Sequence, residues 1–155
     1  MHIRLVAVGT RMPPWVQEGV AEYAKRLPRE WGFRIQEIPL QHRGKNQPVH
    51  RLLESEGEKM LAGLSPDTCI ISLDSRGHQW NTEALARQMN SWFQQGRPLA
   101  FLIGGPEGLA PACLQCSETR WSLSKLTFPH PLVRILVTEQ LYRAWSLLQG
   151  HPYHR

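Results

Sequence analysis

Long apolar runs are missing from this sequence. None approaches the roughly 18 residues that a membrane-spanning helix needs. The opening MHIRLVAVG carries no small-residue cleavage site after its short apolar run, so no secretory leader is expected. Cysteine is scarce, with 3 among 155 residues, and an odd number argues against a closed disulfide framework. Cys69 falls inside an apolar run. Cys113 and Cys116 form one C-x-x-C with no second pair to complete a metal site, and no metal is expected. These absences together point to the cytoplasm. Repeats, low-complexity tracts and linkers are absent too, so residues 1–155 are read as a single domain long enough to bury a core. Acid is in short supply: 13 Asp and Glu face 18 Lys and Arg, a net charge of +5. That balance favours an anionic partner, nucleic acid first. The bases are scattered, and their densest cluster is His42, Arg43, Lys45, His50 and Arg51. With Gly44 and Asn46 in the same loop, it either tracks a phosphate backbone or is simply solvated.

What is present is an alternation. HIRLVAV at 2–8 reads as a strand. Val16, Val20, Tyr23 and Leu27 then recur at helical spacing. Residues 31–38 read as a second strand ended by Pro39. Leu52, Leu53, Met60 and Leu61 line a second helix, with Glu56 intruding on that side. TCIISL at 68–73 is a continuous apolar strand, and DSRGHQW is taken as the loop after it. A third helix runs over 82–94, a fourth strand over 99–103, a short helix around 109–116, and a fifth extended segment over 121–123. The last helix is opened by Pro131 and closed by Gly150. Such alternation predicts an α/β fold with a parallel sheet covered on both faces. Ligands of such sheets sit beyond the carboxyl ends of the strands. Three segments stand there: Leu73 to Gly77, Gly104 to Gly108, and Leu123 to His130.

The middle segment, GGPEG, lacks the lysine and the spacing of a phosphate loop. Its glycines either let backbone approach a flat, neutral heterocycle or merely turn a strand into a helix. SLSKLTFPH at 122–130 alternates apolar and small polar residues and stops at Pro129. Facing the glycine segment, it would wall an apolar pocket with backbone polar groups turned inward. Adenine with a sulfur-bearing chain suits such a pocket better than a nucleoside triphosphate.

LVAVGT at 5–10, IGGPEGL at 103–109, SLSKLTFPH at 122–130, LVRILVTEQLYRAW at 132–145 and the terminal HPYHR carry a resemblance along the whole chain. It resembles the ribosomal large-subunit RNA methyltransferase H family of the SPOUT superfamily. The resemblance implies an α/β sheet whose C-terminal part is a trefoil knot, a feature that topology rules alone would never suggest. It implies a homodimer and S-adenosylmethionine as cofactor. The implied cofactor-binding residues are Leu73, Gly104, Gly105, Leu123, Ser124, Lys125, Leu126, Thr127, Phe128 and Pro129. The implied reaction is methylation of N3 of a pseudouridine in a 23S rRNA stem-loop at the ribosomal subunit interface, within the assembled ribosome.

N3 of pseudouridine carries an imide proton, so a base within hydrogen-bond reach is wanted. His130 and His154 are the candidates. His130, between two prolines, is equally suited to packing at a helix start. Tyr153 can stack on a base, and His154 and Arg155 can meet phosphate or base edges. The alternative for this tail is terminal disorder. Arg143 either contacts RNA, or supports the tail, or pairs with Glu139 one turn earlier. The last helix carries Leu132, Ile135, Leu136, Leu141, Tyr142, Trp145 and Leu148, more apolar surface than one sheet face can cover, which points to a partner subunit. Two rival readings are a flavodoxin-like hydrolase or nuclease and a non-catalytic ribosome-binding factor that kept the fold. The first would need convergent carboxylates, and only Asp74 and Glu107 stand at suitable strand ends.

Overall fold

A computed structural model of the chain describes residues 1–41 and 44–154. Five strands, β1 (Ile3–Val8), β2 (Arg34–Ile38), β3 (Cys69–Gln79), β4 (Leu99–Ile103) and β5 (Thr119–Ser122), form one sheet in the order β2-β1-β4-β3-β5. Every pairing is parallel. Five helices connect or follow them: α1 (Pro14–Ala24), α2 (Val49–Ala62), α3 (Thr82–Gln95), α4 (Pro111–Cys116) and α5 (His130–Leu148).

Strand side chains alternate between faces, and two clusters of buried residues follow from that period of two. Ile3, Leu5, Ala7, Ile71, Leu99, Phe101 and Ile103 face one way, against Leu85, Met89 and Trp92 of α3 and Val137, Leu141 and Ala144 of α5. Val6, Val8, Ala100 and Leu102 face the other way, against Met60 of α2 and Cys113 of α4. Both faces are therefore covered, which is why the central strands read as unbroken apolar runs. Phe101 sits edge-on to Trp92 and Trp121 at 5.7 and 6.1 Å, and fixes where β4 meets α3 and β5.

Two elements differ from the sequence expectation. Trp31 closes a 3-10 turn (Arg29–Trp31) and does not open β2; Gly32 follows it in the left-handed region, and the strand begins at Arg34. Trp31 is drawn out of the strand by packing against Phe93 and Trp145. The larger difference is DSRGHQ, which belongs to β3. Leu73 and His78 both pair with Trp121 of β5, so the residues between them bulge out of a strand that then resumes. Gly77 makes this possible, because a Cβ there would collide with the Arg120 carbonyl. Glu56, the acid on the apolar side of α2, is buried, with 3% of its surface exposed.

α5 ends as expected. Gly150 has φ +73°, its N–H bonds to Leu147 O, and the His151 N–H bonds to Ser146 O at 2.9 Å. This pair of bonds is a Schellman cap. The tail turns back along the helix it has just left, in a 3-10 turn (Pro152–His154).

Candidate cofactor site

The three segments singled out at strand ends come together in one cavity of about 580 Å³. Leu73, Asp74 and Ser75 come from the bulge of β3, Gly104 to Pro106 and Gly108 from the turn after β4, and Ser122 to Ser124 and Leu126 to His130 from the segment after β5. Nine of the ten expected cofactor residues line it; Lys125 does not, and its side chain is exposed. Among the described residues, no lysine or arginine lines it.

Each wall is built locally. The turn after β4 closes on itself through the Gly108 N–H to Gly105 O bond, 3.0 Å, with Gly108 at φ +83°. The glycines serve this turn more than they open the cavity. A Cβ on Gly104 would lie 2.5 Å from the Gly108 carbonyl carbon. A Cβ on Gly105 would point at Val8 and Leu40, into protein. In the third segment the Ser122 hydroxyl donates to Ser124 O at 2.9 Å, and the Leu126 N–H donates to the Ser124 hydroxyl at 3.0 Å. These local bonds hold the chain in a compact turn before Pro129 starts α5.

Two lining residues can carry charge. Asp74 accepts the Arg76 backbone N–H on Oδ1 at 3.1 Å, with the exposed Arg76 guanidinium 3.5 Å away. Its Oδ2 is buried and has no hydrogen-bond partner. His130 sits at the first turn of α5, half-buried, with Nδ1 also buried and unpartnered. Burial, and then the neighbouring Arg134, hold its pKa below the ordinary histidine value. It is therefore neutral at about pH 7 and able to accept a proton.

Arg134, which sequence reasoning passed over, is 3% exposed. It donates to Gly9 O at 2.7 Å and pairs with Glu37 at 2.7 Å, so the loop after β1, the end of β2 and the start of α5 are tied at one guanidinium. The signal was available: Arg134 lies three and seven residues before the buried Val137 and Leu141, on the same apolar stripe.

The other expected catalytic residues lie elsewhere on the chain. Arg143 pairs with Glu139 through two nitrogens, at 2.8 and 2.6 Å, which is the internal ion pair weighed for it. The Tyr153 hydroxyl donates to the same Glu139 at 3.1 Å, and its ring lies under Arg143 and against Tyr142. Neither residue lines the cavity. The His154 side chain and Arg155 lie outside the described residues, as do His42 and Arg43 of the basic cluster; Lys45, His50 and Arg51 are exposed. Cys69 and Cys113 are buried, and desolvation pushes both thiols up to about 11, away from thiolate chemistry.

A family model described as "Predicted SPOUT methyltransferase" matches residues 1–154. Proteins named "Ribosomal RNA large subunit methyltransferase H" from Pseudomonas paraeruginosa and Pseudomonas aeruginosa are 56% identical over 155 residues, covering 100% of both chains. Among solved structures, a probable methyltransferase from Bordetella pertussis superposes with a TM-score of 0.56 at 16% identity, over 92% of this chain and 93% of that one. A probable methylase family protein from Haemophilus influenzae gives 0.55 at 14% identity, over 96% of this chain and 68% of the other. At that identity the two structures attest the shared fold alone.

Proposed function

This chain belongs to the SPOUT methyltransferase family and to its ribosomal RNA large-subunit methyltransferase H branch, and from that premise we propose that it transfers a methyl group from S-adenosylmethionine to N3 of a pseudouridine in 23S rRNA. The observation that carries this reading is the cavity where three strand ends meet. Its volume lies within the range of roughly 300–1,000 Å³ usual for small-molecule sites. Its walls are turns, apolar side chains and one carboxylate, with no lysine or arginine among the described residues to greet a polyphosphate. Such a lining suits an adenine, a ribose and a short cationic chain. Leu73, Gly104, Gly105 and residues 123, 124 and 126–129 would hold the cofactor, and the knot implied by resemblance would join these segments. Lys125 has no part in the wall.

When bound, the cofactor supplies a methyl group already activated by a positive sulfur. The chain's task is alignment and proton management, and alignment is a large part of catalysis for such a transfer. His130, neutral and half-buried on the cavity wall, is placed to accept the imide proton of the target base. His154, brought by a partner's tail, is the other candidate. A homodimer is supported by the apolar side chains left exposed at this end of the molecule: Leu126 is 70% exposed, Trp15 54% and Leu132 37%. Tyr153 is bound to its own α5 beside Tyr142, nine residues and so ~13 Å along the helix from Val133 on the cavity wall. A subunit's tail would therefore serve its partner's cavity. RNA contact falls to the catalytic domain itself, whose surface is basic but small. The assembled ribosome, where the target loop is held in shape, would be the substrate, and naked 23S rRNA a poor one. The cytoplasm is where that substrate is met; no helix among the described residues is long and apolar enough to cross a membrane.

Calorimetry with S-adenosylmethionine and S-adenosylhomocysteine tests the reading, followed by transfer of labelled methyl groups to ribosomes. Both ligands are expected to bind, and adenosine triphosphate to fail. No heat with either ligand on folded protein would overturn it. Binding without transfer would favour a ribosome-binding factor that kept the fold.

A further inference from the structure

The cavity holds one acid, and half of it is unused. Asp74 has 10% of its side chain exposed. Oδ1 is occupied by the Arg76 backbone N–H, while Oδ2 is buried with nothing to bond to. Arg76 is a weak partner for this charge: its side chain is 79% exposed and approaches only Oδ1, so water screens it. A buried carboxylate oxygen left without a donor is costly, and native proteins seldom leave one so. Nothing among the described residues relieves it. Asp74 itself lines the cavity, and a turn of its carboxylate about χ2 would present this oxygen to a ligand held there.

We propose that Asp74 Oδ2 recognises the α-ammonium group of the methionine end of the cofactor. The inference rests on the cofactor reading above and goes further, because it assigns a residue to one particular group. The choice among the cofactor's groups is chemical. The sulfonium is positive but carries no hydrogen, so it cannot satisfy the oxygen. The ribose hydroxyls and the adenine amine can donate, but they leave a buried negative charge uncompensated. The ammonium both donates and neutralises, and a charge-assisted bond of this kind is about twice as strong as a neutral one. The turn supports the assignment. Gly77 lets β3 bulge between its two pairings with Trp121, and the bulge is what brings Asp74 to the cavity wall. An unbroken strand would alternate Asp74 and Ser75 between faces. In the bulge both residues line the same cavity.

The test is calorimetry of the full chain and its Asp74→Asn and Asp74→Ser variants with three ligands. S-adenosylmethionine has the sulfonium and the ammonium, S-adenosylhomocysteine has only the ammonium, and 5′-methylthioadenosine has neither. Asp74→Asn keeps the shape and removes the charge. Both variants should bind the first two ligands about tenfold or more weakly, by similar factors. Both should hold methylthioadenosine within about twofold of the unaltered chain, which also shows that the variant cavity is folded. Equal weakening for all three ligands would move Asp74 to the ribose or adenine and overturn the assignment. Loss confined to S-adenosylmethionine would overturn it in favour of the sulfonium. Unchanged affinities would make Asp74 a structural residue of the bulge. The cofactor reading itself stands or falls separately, on whether the unaltered chain binds any of the three.

Discussion

At the scale of single residues, the glycine turn and His130 make separate predictions. Gly104 has no room for a methyl group, since a Cβ would meet Gly108 backbone at 2.5 Å and backbone cannot swing aside as a side chain can. Gly104→Ala should therefore distort the turn, cost about 1–3 kcal/mol of stability and remove cofactor binding. At Gly105 the neighbour is the Val8 Cγ1 methyl at 3.1 Å, tighter than ordinary contact but yielding. Gly105→Ala should be the milder change in both thermal melting and calorimetry, and the reverse order would show that the turn is misread. The larger Gly105→Leu would press on Val8 and Leu40, so its first effect is on folding and not on cavity volume. His130 makes a pH prediction. Burial and Arg134 lower its pKa in the folded chain, while the unfolded chain titrates near the ordinary 6.5. Between the two values the unfolded state binds more protons, so stability rises with pH. The contribution of a neutral, buried His130 is thus full above about 6.5 and is lost as pH falls below it. Urea midpoints should drop on acidification through this window, and His130→Gln should flatten that part of the curve. An unchanged slope in the variant would mean that another group titrates there.

Elements differ in how plainly the sequence announced them. β4, bounded by Pro98 and Gly104 and apolar throughout, was legible to the residue. So was the end of α5 at Gly150, because a left-handed C′ glycine leaves a recognisable mark. β3 was legible only as far as Leu73. Beyond it the residues are polar and look like a loop, yet β5 holds them in the sheet, and such long-range pairing leaves no local trace. Of the candidate site, the three strand ends were visible in Gly, Pro and Ser patterns, because turn chemistry is local. The pairing of Tyr153 and Arg143 on Glu139 was half-visible, through the spacing of residues 139 and 143 alone. Arg134 was missed because a lone arginine in an apolar helix reads as exposed until its carbonyl and carboxylate partners are known. That residue is also the sharpest test of how α5 is seated. Arg134→Ala removes the donor to Gly9 O and strands Glu37, which is part-exposed and can rehydrate. The cost should be about 3 kcal/mol, the lower end for a broken buried pair. Glu37→Gln keeps the bonds to Val8 and Gly9 and an acceptor for the guanidinium, but it leaves the buried Arg134 charge without a counter-charge, so it should cost about 1–2 kcal/mol, less than Arg134→Ala. Chemical denaturation of the two variants checks the ordering. Equal losses would mean that the ion pair, and not the carbonyl contacts, anchors the loop after β1.

At the scale of the whole molecule, the cavity sits at the start of α5, while Tyr153 of the tail is fastened to its middle, at Glu139. Tyr153 is fastened beside Tyr142 and Arg143, and its ring also lies 5.9 Å from the Arg26 guanidinium of the α1 end. His130 and Val133, on the cavity wall, begin the same helix. A closed dimer of identical subunits can pair these two regions, tail of one with cavity of the other, in two equivalent sites. Deleting residues 151–155 should then leave cofactor affinity nearly unchanged, because none of the described residues of that segment lines the cavity, while abolishing most methyl transfer to ribosomes. Deletion alone cannot say which subunit's tail acts. A mixing experiment can. Tail-deleted chains have a sound cavity and no tail; chains carrying Ser75→Trp at the exposed rim have a blocked cavity and a sound tail. Each homodimer is inactive alone. If tails act across the interface, a mixed dimer has one complete site, and an equal mixture after subunit exchange should recover about a quarter of the unaltered activity, since half the dimers are mixed and each has one of two sites. If each tail served its own cavity, the mixed dimer would have no complete site and the mixture would stay inactive. Truncated chains that methylate ribosomes as fast as intact ones would remove the tail from the mechanism altogether, and leave His130 as the base.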